Sequence, residues 1–295
     1  MDRWLTDRLK ESLFIPCLKI SSRIGRRLNN RLRMPNGDEI DERALTEDFV
    51  DAFNSSSSEN VFGDILQLLR DENIYLDIYT KKSTLENSTG ADIGLVIKRS
   101  VNIRGNNSSA NYAVLIQCKK INQDGEIIDF FHEVPSTHQK QSTLMLDITP
   151  NSFYFIFTPP ALLESYLSVE PIAFISPIQG CSSPIWNSGS FEFDSRPFPI
   201  PILSSHQKEE SMGILVIPAL AVEANRNTGK NADLQTVLPN CLPFWYWFGE
   251  LFLPGFIGDR RNEVIHIALN SENHKGEFIV KNSISFNLQV GKEGQ

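Results

Sequence analysis

The sequence predicts an α/β fold around a central mixed sheet, and three observations carry that expectation. The hydrophobic period shifts from helical to alternating after Asn73. Two apolar runs, TGADIGLVI from Thr89 and NYAVLIQCKK from Asn111, flank a Gly/Asn/Ser-rich stretch. A helical pattern then returns and leads into SFYFIFTPP, an apolar run too short for a helix and closed by Pro159-Pro160.

In order along the chain, residues 4–33 carry Leu5, Leu9, Leu13, Ile20, Ile24 and Leu28 near helical spacing. Ile15-Pro16 predicts a break there, because proline disfavours helix at the residue before it. MPNGDEID is a turn centred on Asn36-Gly37. ERALTEDFVDAF is a helix with Leu45, Phe49, Val50 and Phe53 as its apolar stripe, and Glu47 sits off the centre of that stripe. NSSSSEN is a break, and NVFGDILQLLRDE a second helix. Ile74–Thr80, ADIGLVIKRS and NYAVLIQCKK read as three strands, the last two joined as a hairpin through GNNSSAN. A helix over Thr137–Leu146 returns the chain to SFYFIFTPP as a parallel neighbour. Beyond Ala161, ALLESYL reads as a helix, and PIAFISP, GILVIPALAV, EVIHIALN and FIVKNSISFNLQV as strands. Residues 181–205, rich in Pro, Ser and Phe, read as a long loop.

Composition narrows the function classes. The chain has 295 residues, 41% of them hydrophobic and 22% charged, which is ordinary for a globular protein. No apolar run is long enough to span a bilayer; the nearest, CLPFWYWFGELFLPGFIG, is interrupted by Glu250, two prolines and three glycines. The polar, basic start predicts no secretory signal. Cys17, Cys118, Cys181 and Cys241 are scattered with no CxxC spacing, which predicts reduced thiols and a cytoplasmic location. The five histidines form no zinc pattern. The net charge of −8 divides into about +6 before Pro35 and about −14 after it. Contact with nucleic acid is therefore expected to be local, with Arg23, Arg26, Arg27, Arg31 and Arg33 the natural place for it. The plainer reading of that segment is the solvated face of an amphipathic helix.

The candidate chemistry gathers at Asp92, Gln117 and Lys119. On a strand, Gln117 and Lys119 share a face while Cys118 points the other way. Hairpin pairing brings Asp92, which opens one strand, next to Gln117 at the end of the other. A carboxylate, an amide oxygen and an ammonium then meet at one corner of an apolar sheet. An oxygen-lined corner of this kind suits Mg²⁺, with the Cys118 backbone carbonyl as a further ligand. Lys119 would orient or deprotonate the attacking water and steady charge on a phosphate. Glu47 on the preceding helix would reach the same site, and Glu86 is a further neighbour. Gln139 and Gln141 read either as a phosphate or water contact or as an ordinary exposed helix face. Trp245, Tyr246, Trp247 and Phe248 read as core or subunit interface rather than as a platform for stacking bases.

The order αβββαβ with Asp92 and Gln117-x-Lys119 resembles the restriction-endonuclease-like fold of PD-(D/E)xK nucleases. Its QxK form is similar to the Mrr-like branch, and TGAD…QCKK to the nuclease domains of bacterial anti-phage effectors that cut double-stranded DNA. The resemblance spans roughly residues 40–160. It implies Asp92, Gln117 and Glu47 as Mg²⁺ or Mn²⁺ ligands, Lys119 as the catalytic lysine, and Glu86 and Gln141 as outer neighbours. It implies a metal-dependent DNA endonuclease in antiviral defence, acting as a homo-oligomer or with a partner protein. Two departures stand out: Gln117 is neutral, and no proline precedes Asp92. The neutral Gln117 and the acidic net charge leave open an inactive nuclease-like binding or assembly module. The expected organisation is a basic helical arm over 1–38, a nuclease-like core over 39–160, and a mainly β C-terminal elaboration over 161–295.

Overall fold

The computed structural model describes residues 3–32, 40–83, 88–103, 106–134, 138–167, 212–224, 229–270 and 280–291. Glu86, Arg33, PIAFISP and the loop over 181–205 fall outside the described residues, as does the side chain of Arg31.

Three helices come first: α1 (Arg3–Leu32), α2 (Glu42–Asp51) and α3 (Gly63–Asp71). Strands β1 (Ile74–Lys82), β2 (Ile93–Ile103) and β3 (Asn106–Lys120) follow, then α4 (Gln141–Ile148), β4 (Ser152–Phe157) and α5 (Pro160–Leu167). The remaining chain gives β5 (Ile214–Pro218), α6 (Ala219–Ala224), β6 (Leu242–Pro243), α7 (Asn262–Ala268) and β7 (Asn282–Val290). These strands form one seven-stranded mixed sheet in the order β1-β7-β2-β3-β4-β5-β6. The β2–β3 hairpin is antiparallel and β3–β4 parallel, as expected. Its ladder runs on to Ile103↔Asn106, so most of the stretch expected as a loop is strand.

Among the described C-terminal residues, β5, β6 and β7 belong to the central sheet itself. Strand β7 lies between β1 and β2, antiparallel to the first and parallel to the second. Burial explains the order. Strand β7 is buried on Asn282, Ser283, Ile284, Phe286, Leu288 and Val290 and exposed only at Gln289, which suits a strand with a neighbour on each side, whereas β1 alternates buried and exposed from Ile74 to Tyr79 and takes the edge. Two more expectations are corrected here. EVIHIALN is mostly helix α7, whose Val264, Ile265, Ile267 and Ala268 pack on the sheet. GILVIPALAV turns from β5 into α6 after Pro218.

The two faces of the sheet carry two cores. One, around Leu95, Val114, Ile116 and Phe155, is covered by α1, α2 and the aromatic run Phe244–Phe252. Tyr246, Trp247 and Phe248 are buried in it and unavailable for stacking bases. The other, around Val96, Leu115, Tyr154 and Ile156, is covered by α4, α6 and α7. There α7 lies so close that a Cβ on Gly94 would stand 2.1 Å from the Ala268 carbonyl oxygen.

The first helix buries the expected apolar stripe, but the break expected at Ile15-Pro16 is corrected. Helix α1 runs unbroken through Pro16, because Leu5, Leu9, Leu13, Cys17, Ile20 and Ile24 all enter the core. Burial of that stripe outweighs the roughly 3 kcal/mol that an interior proline costs. Two of its arginines are spoken for: Arg23 sits 2.8 Å from Glu59, and Arg27 pairs with Asp48. Arg26 is exposed and donates weakly to Ser22 O at 3.4 Å. No helix among the described residues is long and apolar enough to cross a membrane.

Candidate active site

The hairpin register places Asp92 opposite Gln117, since Ile93 pairs with Ile116 and Asp92 N–H donates to Ile116 O at 2.8 Å. The residues before Asp92 shape the approach. The Thr89 hydroxyl accepts from Ala91 N–H at 3.1 Å, closing a tight turn. Gly90 holds φ at +75°, and a Cβ there would stand 2.9 Å from Gln141 O. TGAD is thus a turn that needs its glycine, pressed against the start of α4, and it delivers Asp92 to the sheet end. Gln141 is consequently next to the site loop, with a buried Oε1 that has no hydrogen-bond partner.

Asp92 Oδ2 accepts from Gln117 Nε2 at 2.6 Å and from Cys118 N–H at 3.0 Å. Gln117 is 2% exposed, and its Nε2 also donates to Cys118 O at 3.1 Å. Lys119, on the same strand face, is 4% exposed. Burial raises the Asp92 carboxyl, opposed by the Cys118 N–H and the Lys119 charge. The sheet end therefore brings together three of the expected residues, Asp92, Gln117 and Lys119, and the Cys118 main chain.

Glu47 is not with them. Its carboxylate takes a 2.7 Å hydrogen bond from Lys82, which holds it below the usual carboxylate range. The acid that helix α2 presents is Glu42, whose Oε1 lies 3.9 Å from Lys119 Nζ. The helical repeat decides between them. Glu42 shares a face with Leu45, Thr46 and Phe49, all buried, whereas Glu47 is rotated well off it. The apolar stripe carried this signal in the sequence, because Glu42 stands at stripe spacing and Glu47 does not. Asp41 caps the helix by accepting from Arg43 N–H at 3.1 Å, and Lys120 Nζ donates to Ile40 O at 2.9 Å. These two contacts hold the first turn of α2 against the end of β3.

Burial pushes the Glu42 carboxyl up to about 7, with Lys119 opposing and Asp92 adding to the rise. It lines a cleft of about 430 Å³ with Asp41, Lys119, Lys120, Ile128 and Asp129. Asp129, which the sequence patterns did not single out, reaches the cleft from a backbone position with φ of 50°.

The donor set tests whether a hard cation fits. Asp92, Glu42, the Gln117 amide and the Cys118 carbonyl are all oxygen donors of the kind Mg²⁺ uses. Among the described residues no three His, Cys, Asp or Glu side chains gather at metal-ligand spacing. A cation here would rely on amide, backbone and water oxygens for the rest of its shell. Gln117 supplies the sharper observation. Its NH₂ bridges the Asp92 and Cys118 oxygens, while its own Oε1 is buried without a partner. A hydrogen-bond donor already bridges the oxygens a cation would join, and an amide turned end for end would bring its orphaned oxygen to them. The residues fit the ion.

Gln117→Glu tests that fit. A second carboxylate against Asp92, in place of two amide hydrogen bonds, should destabilise the metal-free protein by about 1–3 kcal/mol. Mn²⁺ should then raise the melting temperature of the variant more than that of wild type. Equal metal-induced shifts would remove Gln117 from the ligand set.

Comparisons of the chain with protein-family models, with curated proteins and with solved structures find no match.

Proposed function

We propose that this chain is a metal-dependent DNA endonuclease with a restriction-endonuclease-like core of the QxK type. The observation that carries the reading is Lys119, an almost fully buried ammonium held beside Asp92 and Gln117 on the strands and Glu42 on the helix. A lysine is rarely buried unless paired or functional, and this one borders an open cleft.

In this reading Asp92, Gln117 and the Cys118 carbonyl would hold Mg²⁺ or Mn²⁺, which leaves the Glu42 carboxylate to act as a base. The ion would supply Lewis-acid charge to the scissile phosphate and acidify water. Lys119 Nζ hydrogen-bonds the attacking water or a non-bridging phosphate oxygen and offsets the charge that builds as water adds to phosphorus. Glu42, beside Lys119 at the cleft, accepts the proton that water loses. Asp41 and Asp129 at the cleft would repel the DNA backbone, so phosphate entry depends on the cation and on Lys119 and Lys120. Double-stranded DNA as substrate and a role as an anti-phage effector rest on the likeness of TGAD…QCKK to such nucleases.

One observation favours a second reading. The Gln117 amide itself links Asp92 and Cys118, so the corner can stand as a closed hydrogen-bonded cluster. Under it the chain is a nuclease-like binding or assembly module. Incubation with supercoiled and linear plasmid separates the two. Cleavage with Mg²⁺ or Mn²⁺, abolished by EDTA and by Asp92→Asn, supports the nuclease. Cleavage that Asp92→Asn leaves intact, or none with either metal, overturns it.

A further inference from the structure

We infer that a second copy of this chain docks on the β1 edge of the sheet, joining two sheets into one. The inference stands apart from the nuclease reading and uses none of its residues.

Among the described residues no strand lies beyond β1. Two hydrogen bonds flanking the β1–β7 ladder fix its phase. Ser83 N–H donates to Lys281 O at 2.8 Å, and Gly291 N–H donates to Asn73 O at 3.3 Å. Odd-numbered residues therefore turn their main chain to β7. Ile74, Leu76, Ile78, Thr80 and Lys82 turn theirs to the open edge. A nine-residue edge without proline is a template for another strand, and natural sheets normally blunt such an edge.

The side chains select the occupant. On the exposed face stand Tyr75 at 39% and Tyr79 at 57% exposure, with Asp77 and Lys81 between and beyond them. The sequence is self-complementary about Tyr79. A two-fold axis there pairs Asp77 with Lys81 of the second copy, twice per dimer, and stacks the two Tyr79 rings. It also pairs Ile78 with Thr80 in the hydrogen-bonded positions that the phase requires. Other registers lose this match. Centring on Asp77 opposes two carboxylates, centring on Lys81 opposes two ammonium groups, and centring on Ile78 sets Asp77 against Tyr79. Charge complementarity thus favours a like chain in one register. The present partners of the two charges do not close the edge. Asp77 lies 3.6 Å from Arg70 with both side chains about half exposed, and Lys81 donates to the Asn270 carbonyl at 2.9 Å.

The site end of the sheet adjoins Lys82, since Lys82 pairs with Asn282 and Asn282 with Ile93. The two-fold axis therefore puts the two clefts at opposite ends of the joined sheet, both open.

Light scattering after size exclusion on the full chain tests this. Wild type should run at twice 33.4 kDa. Asp77→Lys and Lys81→Asp should each weaken the dimer by about tenfold or more, because both cross-strand pairs become repulsive. An equimolar mixture of the two variants should recover the dimer, since the lysine introduced in one chain then meets the aspartate introduced in the other. Circular dichroism confirms that these surface variants fold. A monomeric wild type, a dimer indifferent to either swap, or a mixture that fails to recover overturns the inference. So does a different protein found paired along this edge.

Discussion

Replacing Lys119 by methionine should lower metal-dependent DNA cleavage by about 10²–10⁴-fold, the range a positioned acid–base or charge-stabilising group contributes. Methionine keeps the length of the side chain and suits a position that is 4% exposed, so the fold should survive. The Lys119 charge lowers both the Asp92 and Glu42 carboxyls. Its removal should push both further up, and residual cleavage should move to higher pH. A kinetic pH profile with matched circular dichroism checks both parts. Cleavage by Lys119→Met within a few-fold of wild type would remove the lysine from the reaction.

The second large effect separates two glutamates on one helix. Glu42→Gln should reduce cleavage by about 10²-fold, whereas Glu47→Gln should leave it within about a factor of two. Wild-type rate should rise with pH as the raised Glu42 carboxyl gives up its proton, at a pH that the cation draws below the metal-free value, and Glu42→Gln should flatten that limb. The same shift sets a stability trend. Glu42 titrates near 7 when folded against an ordinary 4.5, so the folded state holds a proton that the unfolded chain has released. Stability then falls as pH rises from about 4.5 to 7, and is flat above that. The loss is on the order of 2 kcal/mol after solvent screening. Urea titrations of wild type and Glu42→Gln across that window should converge at low pH and diverge as pH rises. Loss of cleavage in Glu47→Gln with Glu42→Gln unaffected would reverse the assignment.

The candidate site was legible where local rules suffice. Alternation along NYAVLIQCKK put Gln117 and Lys119 on one face, and a hairpin with TGADIGLVI put Asp92 opposite Gln117. The helical repeat over ERALTEDFVDAF held the choice of Glu42 in the same way, since only Glu42 falls on the stripe of Leu45, Thr46 and Phe49. Asp129 could not be found by spacing, because a turn residue's direction depends on the loop around it. Pro16 misled for a related reason: its local cost is fixed, but the burial of Leu9, Leu13, Cys17 and Ile20 around it is a tertiary quantity.

The sequence by itself determined the α/β class, the β2–β3 pairing and the meeting of Asp92, Gln117 and Lys119, because periodicity and register act between near neighbours in the chain. Only the tertiary structure decided that β7 enters between β1 and β2, that α1 runs unbroken through Pro16, and that β1 is left at the edge. Those outcomes depend on which strand must be covered on both sides. That is settled by competition for burial among segments about two hundred residues apart, which local patterns do not encode.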